Sequence, residues 1–225
     1  MSDTNETMPA DRFDLITQRY SQVPYMSEKH ARAMRDIVVE NDFRDILEIG
    51  FFHGKSSLYI AAMLEDLGRG HLVTIDQRSA LTRDPTIHQL LEETDLTDRV
   101  TPIIAFRSFT WELQKLISQT PRPRFDLCYF DGGHTWDSTG FGVLLVDILL
   151  RPGGVLILDD MDWSVKNSGH YRRNPKLGAK FSPDEAATPG VRRTWEVLLP
   201  HLGYTSFKEL PDLKWGIARK PIQKR

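Results

Sequence analysis

The stretch Phe125–Trp163, FDLCYFDGGHTWDSTGFGVLLVDILLRPGGVLILDDMDW, decides the fold of this chain. It contains two apolar runs, Leu127–Phe130 and Val155–Leu158, and each run ends abruptly in carboxylates. A short apolar run bounded by turn residues is typical of a strand that is buried on both faces of a parallel sheet. We therefore expect the two runs to be neighbouring parallel strands that end at the same edge of one sheet.

Three acids and a histidine follow these two strands. Asp131 ends the first run, Asp159 and Asp160 end the second, and His134 lies three residues past Asp131. Ligands bind at the carboxyl edge of open α/β sheets, and clustered carboxylates repel one another unless a cation lies among them. The pattern predicts a cation site at this edge, with His134 close enough to act as a base.

Simpler roles remain open for the same residues. His134 could cap the turn after its strand, and Asp160 could cap a helix while Asp159 alone binds a ligand. Adjacent strand residues point to opposite faces of a sheet, so both acids can ligate together only if the strand ends at Asp159. Asp162 is a further acid within reach and could substitute.

Strands and helices alternate along the rest of the chain. Apolar runs predict further strands at Asp45–Ile49, His71–Ile75 and Val100–Ala105, and a terminal antiparallel hairpin of Ser206–Leu210 and Lys214–Arg219. Helical patterns place helices at about 11–21, 57–67, 87–93, 111–118, 140–150 and 194–201, and Ser27 is a plausible N-cap for one more. The alternation indicates an α/β domain with a mostly parallel sheet.

Composition limits the class of protein. The 225 residues are 40% hydrophobic and 27% charged, which is ordinary for a soluble domain. A formal charge of -2 does not favour nucleic-acid binding, and no run of about 18 apolar residues is present to span a membrane. The N-terminus is polar and lacks a signal-peptide core, so we expect a cytosolic protein. The single cysteine, Cys128, is expected to be a buried, unreactive thiol.

Two segments lack periodicity. Residues 1–11 are polar and are expected to be disordered. The stretch Asp162–Gly190 is basic and polar and carries three prolines. A loop of that length in a compact domain is usually functional or disordered. Because it follows the acidic strand end directly, we expect it to form a lid over the site rather than a linker.

A turn with two glycines follows the first strand. In the sequence EIGFFHGKS, Glu48–Ser56, Gly50 and Gly54 permit tight turning and close approach to a ligand. Its spacing is neither GxGxxG nor that of a phosphate-binding loop. Asp76 ends the second strand and can accept hydrogen bonds from both ribose hydroxyls, or it is a turn residue. Glu48 needs partners at a buried strand end, either a cationic ligand, backbone N–H groups or a nearby Arg or Lys.

Four pieces of sequence occur in order between Asp45 and Asp160: ILEIGFFHGKSS, VTID, FDLCYFDGGH and LLRPGGVLILDD. Together they resemble the class I S-adenosylmethionine-dependent methyltransferases. The resemblance implies a Rossmann-like three-layer α/β sandwich, with a seven-stranded, mostly parallel sheet and a terminal antiparallel hairpin. We predict an N-terminal helical extension over residues 1–40 and a methyltransferase domain over residues 41–225, with the lid-like loop at about 162–190.

The resemblance also implies S-adenosylmethionine as the methyl donor. By position, Glu48, Gly50 and Gly54 would line its methionine part, with Ser56 and Asp131 beside them. Asp76 would bind its ribose, and Arg107 and Ser108 would border its adenine.

Within that superfamily the chain is similar to the metal-dependent small-molecule O-methyltransferases, both the catechol and caffeoyl-CoA branch and the macrocin and cephamycin branch. These enzymes carry one acid after strand four and an acidic pair, or an acid and an amide, after strand five. The resemblance implies that Asp131, Asp159 and Asp160 bind Mg²⁺. His134 would be the base, in the DGxH form of the second branch, where catechol-type enzymes place a lysine.

The expected acceptor is a hydroxyl of a small, natural-product-like molecule. Trp136, Trp163 and Tyr171 follow the acids and line an apolar acceptor pocket, or each belongs to the core. Neither nucleic acid nor a membrane is an expected partner, and a homo-oligomer is possible. Three other classes stay open: a metal-independent N- or C-methyltransferase, a nicotinamide-dependent oxidoreductase, and a protein that binds S-adenosylmethionine without turnover.

Overall fold

The computed structural model describes residues 11–222 and contains, in that range, one sheet of seven strands in the order β3-β2-β1-β4-β5-β7-β6. The strands β1 to β5 are parallel, and β7 runs antiparallel to both β5 and β6. Their bounds are β1 Asp45–Ile49, β2 His71–Gln77, β3 Val100–Ala105, β4 Phe125–Phe130, β5 Leu150–Leu158, β6 Thr205–Leu210 and β7 Trp215–Arg219. The predicted mostly parallel sheet with a terminal antiparallel hairpin is confirmed.

Helices cover both faces of this sheet and give three layers. Their bounds are α1 Arg12–Arg19, α2 Glu28–Glu40, α3 Lys55–Asp66, α4 Ile87–Thr94, α5 Phe109–Ile117, α6 Trp136–Leu149, α7 Gly169–Arg173, α8 Pro175–Gly178, α9 Pro183–Ala187, α10 Gly190–Arg193 and α11 Leu199–His201, with a π-helical turn, Thr194–Leu198, between the last two. One apolar cluster joins α1 to α4 to one face of the sheet. A second cluster joins α5, α6 and the α10–α11 region to the other face.

The helices begin where local chemistry stabilises their first turn. Ser27 accepts a hydrogen bond from His30 N at the start of α2, as predicted, and Asp11 does the same for Asp14 N at the start of α1. A capping side chain satisfies a backbone N–H that has no partner within the helix. Both N-terminal helices therefore follow from short sequence signals, whereas the proposed domain boundary near residue 40 stays a prediction.

The structure extends two of the sequence predictions. Strand β5 begins at Leu150 instead of Val155, because residues 151–154 form an irregularity between the Phe125–Leu150 and Leu127–Val155 pairs. The segment 162–190, expected to be a loop, contains the short helices α7, α8 and α9. Residues 1–10 of the N-terminal stretch that was expected to be disordered lie outside the described residues.

Three central strands end level with one another. Ile49 of β1 pairs with Phe130 of β4, and Phe130 pairs with Leu158 of β5. Backbone bonds continue one residue further, from Asp131 N to Ile49 O at 2.8 Å and from Asp159 N to Phe130 O at 3.0 Å. The residues after β1, β4 and β5 therefore meet at one edge, as the sequence predicted. No helix between residues 11 and 222 combines the length and the apolar character that crossing a membrane requires.

Candidate functional site

A cavity of about 890 Å³ lies at this carboxyl edge, and we refer to it as the edge cavity. Turns after β1, β2, β4 and β5 form its floor, and the α1–α2 linker and the β6–β7 turn close its far side. Its lining includes Gly50, Ser56, Asp76 and Asp131 from the predicted cofactor set. The structure therefore brings these four residues, from the ends of β1, β2 and β4 and the start of α3, to one cavity.

Gly50 is required by the backbone at the centre of the edge cavity. Its φ is +90°, a conformation that L side chains rarely adopt. A Cβ at this position would also overlap with the carbonyl oxygen of Asp131. The turn after β1 can lie directly against the turn after β4 only because residue 50 has no side chain, so the shape of the cavity depends on this glycine.

Asp76 organises the same turn from the end of β2. Its Oδ2 accepts hydrogen bonds from Phe51 N at 2.9 Å and Phe52 N at 2.6 Å, and its Oδ1 accepts one from Gln77 N at 2.6 Å. The carboxylate lies on the cavity wall, so the predicted contact with a ribose stays open to it. The structure adds a role that the sequence did not reveal, which is to hold the backbone of the glycine turn.

Glu48 does not reach the edge cavity. It is fully buried within β1, where its Oε2 accepts hydrogen bonds from the hydroxyls of Ser57 and Thr74, and its Oε1 has no partner among the described residues. Burial raises the pKa of Glu48 to about 7, against the opposing effect of the hydroxyl groups. The structure thus gives Glu48 partners inside the fold, and its predicted contact with the methionine part of a cofactor stays a prediction.

Three other predicted cofactor residues also lie off the cavity wall. Gly54 begins α3 and faces Ile87. Arg107 is exposed, and Ser108 accepts a hydrogen bond from Thr110 N as the N-cap of α5. None of the three is among the described residues that line the edge cavity.

Lys55 is a site residue that sequence reasoning missed. Its side chain is buried, and Nζ donates hydrogen bonds to the carbonyl oxygens of Val23 at 2.8 Å and Ser21 at 3.4 Å. These carbonyls belong to the α1–α2 linker, which forms one wall of the edge cavity. Burial lowers the pKa of Lys55. The lysine that gives the sequence a partial likeness to a phosphate loop thus anchors this linker across the cavity.

Asp131, His134 and Asp160 form a compact cluster in the edge cavity. One ligand atom from each lies within 4.8 Å of the others. His134 Nε2 is 3.2 Å from Asp160 Oδ2 and 3.6 Å from Asp131 Oδ1, yet it is buried without a well-directed hydrogen bond to either among the described residues. A buried nitrogen held between two carboxylates in this way fits a shared divalent cation.

Charge determines the protonation of this cluster. Burial alone favours the neutral imidazole, but Asp131 and Asp160 outweigh it and raise the pKa of His134 to about 9. The same interaction lowers the pKa of Asp160, whereas burial raises the pKa of Asp131. The two carboxylates therefore favour the protonated form of the His134 imidazole.

Asp159 takes a different direction from its neighbour Asp160. Its Oδ2 accepts a hydrogen bond from the hydroxyl of Tyr129, which is buried on β4, and its Oδ1 accepts one from Asp160 N at 2.6 Å. Asp160 has a positive φ of 56°, so the chain turns sharply after β5 and directs the two side chains apart. Asp159 lies on the wall of the same cavity, but the compact cluster has His134 as its third member, and the predicted trio of acids as cation ligands stays a prediction.

A second cavity of about 290 Å³ adjoins the cluster on the other side of His134, and we refer to it as the aromatic pocket. It is lined by His134, Thr135, Trp136, Trp163, Val165, Phe181, Glu185, Thr188, Gly190, Arg193 and Val197. The rings of His134 and Trp163 have centroids 5.1 Å apart. Of the three aromatic residues predicted for an acceptor pocket, Trp136 and Trp163 line it, while Tyr171 packs against Trp163 and Phe181 instead.

Gly190 allows the aromatic pocket to close against the turn after β4. A Cβ at this position would lie 2.5 Å from His134 O and from Trp136 N. The helix that starts here, α10, therefore approaches the backbone of the His134 turn directly. Asp162, the alternative acid considered from sequence, is exposed and pairs with Arg192 at 2.7 Å, away from the cluster.

A family model described as a methyltransferase domain matches residues 47–161 of this chain. The match covers slightly more than half of the 225 residues. It extends from the glycine turn after β1 to the acids after β5, and so includes Asp131, His134 and Asp160. No curated protein matches the chain.

Solved structures share the fold over nearly the whole chain. An O-methyltransferase from Bacillus cereus, in complex with SAH, has a TM-score of 0.63 and 20% identity, covering 96% of this chain and 94% of that one. The O-methyltransferase TomG from Streptomyces achromogenes, involved in tomaymycin synthesis and in complex with SAM, has a TM-score of 0.62 and 20% identity, covering 95% of this chain and 91% of that one. The SAH-bound methyltransferase PaMTH1 from Podospora anserina has a TM-score of 0.65 and 15% identity, covering 93% of this chain and 87% of that one. At such identities the similarity establishes the fold alone.

Proposed function

Because the chain belongs to this methyltransferase-domain family, we propose that it transfers a methyl group from S-adenosylmethionine to a hydroxyl group of a small-molecule acceptor. One observation carries the proposal: His134 lines both the edge cavity and the aromatic pocket. A donor in the first and an acceptor in the second would meet beside the cluster of Asp131, His134 and Asp160. Holding two reactants in contact supplies much of the acceleration in a direct transfer of this kind.

The edge cavity supports the assignment of the donor site. Its volume of about 890 Å³ lies within the range of roughly 300–1,000 Å³ that is usual for small-molecule and cofactor sites. Gly50 lets backbone groups approach a ligand, and Asp76 offers a carboxylate at the wall. Two of the similar structures are in complex with SAH and one is in complex with SAM.

We further propose that the cluster holds Mg²⁺ through Asp131 and Asp160. The two carboxylates supply the oxygen ligands that Mg²⁺ prefers, and one oxygen of each lies within 4.8 Å of the other and of a ring nitrogen of His134. Asp159, the third acid of the predicted set, also lies on the wall of the edge cavity, with one oxygen held by the hydroxyl of Tyr129. When bound, a divalent cation lowers the pKa of a nearby hydroxyl and so favours the ionised, nucleophilic acceptor.

His134 is the proposed proton acceptor. To act as a base its imidazole must be neutral, whereas the two carboxylates by themselves favour its protonated form. Positive charge between these carboxylates disfavours the imidazolium, so that Nε2 becomes able to take the acceptor proton. A base in this position typically contributes about 10²–10⁴-fold to the rate.

The aromatic pocket is the proposed acceptor site. Trp136 and Trp163 give it apolar walls, and Glu185 and Arg193 add one charge of each sign. A cavity of about 290 Å³ suits a flat acceptor of one or two rings rather than a macromolecule. The segment 162–190 supplies Trp163, Phe181 and Glu185 to the walls, which supports the proposal that this segment acts as a lid.

A transfer assay with labelled S-adenosylmethionine tests the function. We expect methyl transfer to at least one member of a panel of phenols and other hydroxylated ring compounds, loss of activity in EDTA and recovery with Mg²⁺. Transfer to amines or carbon that EDTA leaves unchanged would favour the metal-independent alternative. Calorimetric binding of S-adenosylmethionine without transfer to any acceptor would favour a binding protein.

A matched pair of variants places the reaction at the cluster. Asp160→Asn is expected to reduce Mg²⁺-dependent transfer by roughly 10²-fold, because it removes a carboxylate beside His134. Asp162→Asn is the control, since Asp162 lies two residues further along and pairs with Arg192 on the surface. Equal activity of the two variants would overturn the assignment of the site, whatever the acceptor.

A further inference from the structure

The outer face of α6 is apolar, although it faces solvent. Phe141 is 54% exposed, Leu144 40% and Ile148 39%. Trp111 of the neighbouring helix α5 is 61% exposed in the same layer. The opposite face of α6 is also apolar and is buried in the core through Val143, Val146 and Leu149. A helix that is hydrophobic on all sides is normally covered on all sides.

The spacing of the exposed residues indicates that another helix covers them. Asp137, Phe141, Leu144 and Ile148 follow one another at intervals of four, three and four residues along the outer face of α6. This is the spacing of a seam in which side chains of two helices interdigitate. Contiguous exposed apolar residues of this kind mark interaction sites more often than they mark ordinary surface.

The charges at the two ends of this stripe indicate what the other helix is. Asp137 lies at the start of the stripe and forms no ion pair with any residue between 11 and 222. At the other end, Arg124 donates hydrogen bonds to the carbonyl oxygens of Ile148 and Leu150 but pairs with no carboxylate of the described chain. The stripe thus ends in one negative and one positive charge that no described residue of the same chain neutralises.

We propose that α6 packs antiparallel against α6 of a second copy of this chain, forming a two-fold symmetric dimer. A two-fold axis between residues 142 and 143 places Phe141 opposite Leu144 of the second copy. The same axis brings Asp137 to the end of the second α6, where Arg124 lies, so that both end charges are matched twice. Such self-complementarity is what an isologous interface requires, and it is the reason for choosing a second copy over another partner.

The proposal is independent of the proposed function, because the outer face of α6 is separate from the edge cavity. Light scattering after size exclusion tests it on the full chain, where we expect twice the mass of one chain. Leu144→Lys is expected to weaken dimerisation by at least about 100-fold, since it puts charge at the centre of the interface. Val39→Lys is the control: Val39 is equally exposed, on α2 in the opposite layer, and its substitution should leave the dimer unchanged.

Charge reversal tests the register of the two helices. Asp137→Lys and Arg124→Glu are each expected to weaken the dimer by roughly tenfold through like-charge contacts, and the double variant should recover most of the loss. The unfolding temperature of each variant checks that the monomer is intact. Weakening that adds up in the double variant, instead of cancelling, would show that the two charges do not meet.

Cross-linking gives a readout that does not depend on affinity. Cys128 is buried, so a cysteine introduced on the surface reacts alone. A short bis-maleimide should link two copies of Leu144→Cys, near the axis. It should not link two copies of Asp137→Cys, which would lie about 16 Å apart along the helix at 1.5 Å per residue. A monomeric wild-type protein, or a dimer that Leu144→Lys leaves intact, overturns the proposal.

Discussion

Two sets of carboxylates end the central strands, and they differ in what they face. Asp131 and Asp160 open into the edge cavity and share the imidazole of His134. Glu48 and Asp159 instead bond to hydroxyl groups of the fold, those of Ser57 and Thr74 for Glu48 and that of Tyr129 for Asp159, although Asp159 also lies on the wall of the edge cavity. An acid at the end of a strand is therefore not a functional residue by position alone, because its partners decide its role.

The two sets differ in how the free-energy cost of burying their carboxylates is offset. A buried carboxylate costs free energy unless hydrogen bonds satisfy it, and hydroxyl partners meet that need within the fold for Asp159 and for one of the two oxygens of Glu48. The cluster of Asp131 and Asp160 has one imidazole between two carboxylates, with Nε2 poorly directed to either. The first set should therefore matter for stability and the second for activity, and each of the following experiments tests that division.

The largest effect is expected for Asp131→Asn, in the set of acids that shares the imidazole of His134. Turnover should fall by about 10³-fold, in the range lost when a group that moves a proton or stabilises developing charge is removed. Stability should be unchanged or higher, because burial already disfavours the charge of Asp131. Steady-state kinetics with labelled donor and thermal unfolding measure the two quantities. Unchanged turnover would remove Asp131 from the set that we assign to catalysis.

Neighbouring acids after β5 should show opposite losses. Asp160→Ala is expected to reduce turnover by roughly 10²-fold with little change in stability. Asp159→Ala should instead lower the free energy of unfolding by about 1–3 kcal/mol, because the buried hydroxyl of Tyr129 loses its acceptor. Denaturant titration and kinetics on both variants form a crossed comparison. If both variants lose only activity, Asp159 belongs with Asp131 and Asp160 and binds the cation, as the sequence predicted.

Asp76→Ala tests an acid that stands between the two sets. It lies on the wall of the edge cavity, but its two oxygens already accept hydrogen bonds from three backbone N–H groups. Hydrogen bonds to a charged group contribute about 1.5–3 kcal/mol, so the dissociation constant of S-adenosylmethionine should rise roughly tenfold to a hundredfold. Isothermal calorimetry measures it. A lower stability with an unchanged dissociation constant would place Asp76 among the structural acids, as a residue that only supports the glycine turn.

The smallest effect concerns the pH dependence of stability due to Glu48. Its pKa is raised in the fold to about 7, so the folded protein holds this proton more tightly than the unfolded chain does. The stabilisation from this bound proton is fully present below the unfolded pKa and is lost as the pH rises through the folded pKa. The loss amounts to about 1 kcal/mol between about pH 6 and about pH 8. Glu48→Gln should remove this part of the slope while other groups keep theirs.

Denaturant unfolding of the wild type and Glu48→Gln at both pH values measures the difference in slope. A variant with the same slope as the wild type would mean that Glu48 is ionised in the folded protein. It would then have a partner that the hydroxyls of Ser57 and Thr74 do not provide. Glu48 would still belong to the set of acids that bond within the fold, because it lies away from the edge cavity in either case.

Much of the fold follows from local sequence. The bounds of β1 and β3 are those predicted, and the other strands differ mainly at their starts, because an apolar run between turn residues specifies a buried strand without reference to distant contacts. The start of β5 was misjudged because Pro152 and the glycines after it suggest a turn, whereas the sheet accommodates them as an irregularity. The short helices α7 to α9 escaped notice because four or five residues do not establish a helical period.

The sequence also predicted many residues of the candidate site, but not the contacts that give each residue its role. Asp131, His134 and Asp160 were identified from strand ends, and the structure brings them together. Lys55 could have been suspected only from its place at the start of a helix, since its acceptors lie more than 30 residues earlier in the chain. The walls of the aromatic pocket come from residues 134–197, and no local pattern relates them.

The amino-acid sequence by itself determined where the strands end, that glycine must follow β1, and that acids gather at one edge. These features depend on short-range sterics and on the alternation of apolar and polar residues, which neighbouring positions encode. Only the tertiary structure decided which acids share His134, because side-chain direction after β5 depends on a positive φ at Asp160 and on the hydroxyl of Tyr129 from another strand. Contacts between distant segments set that choice, and no stretch of sequence carries both partners.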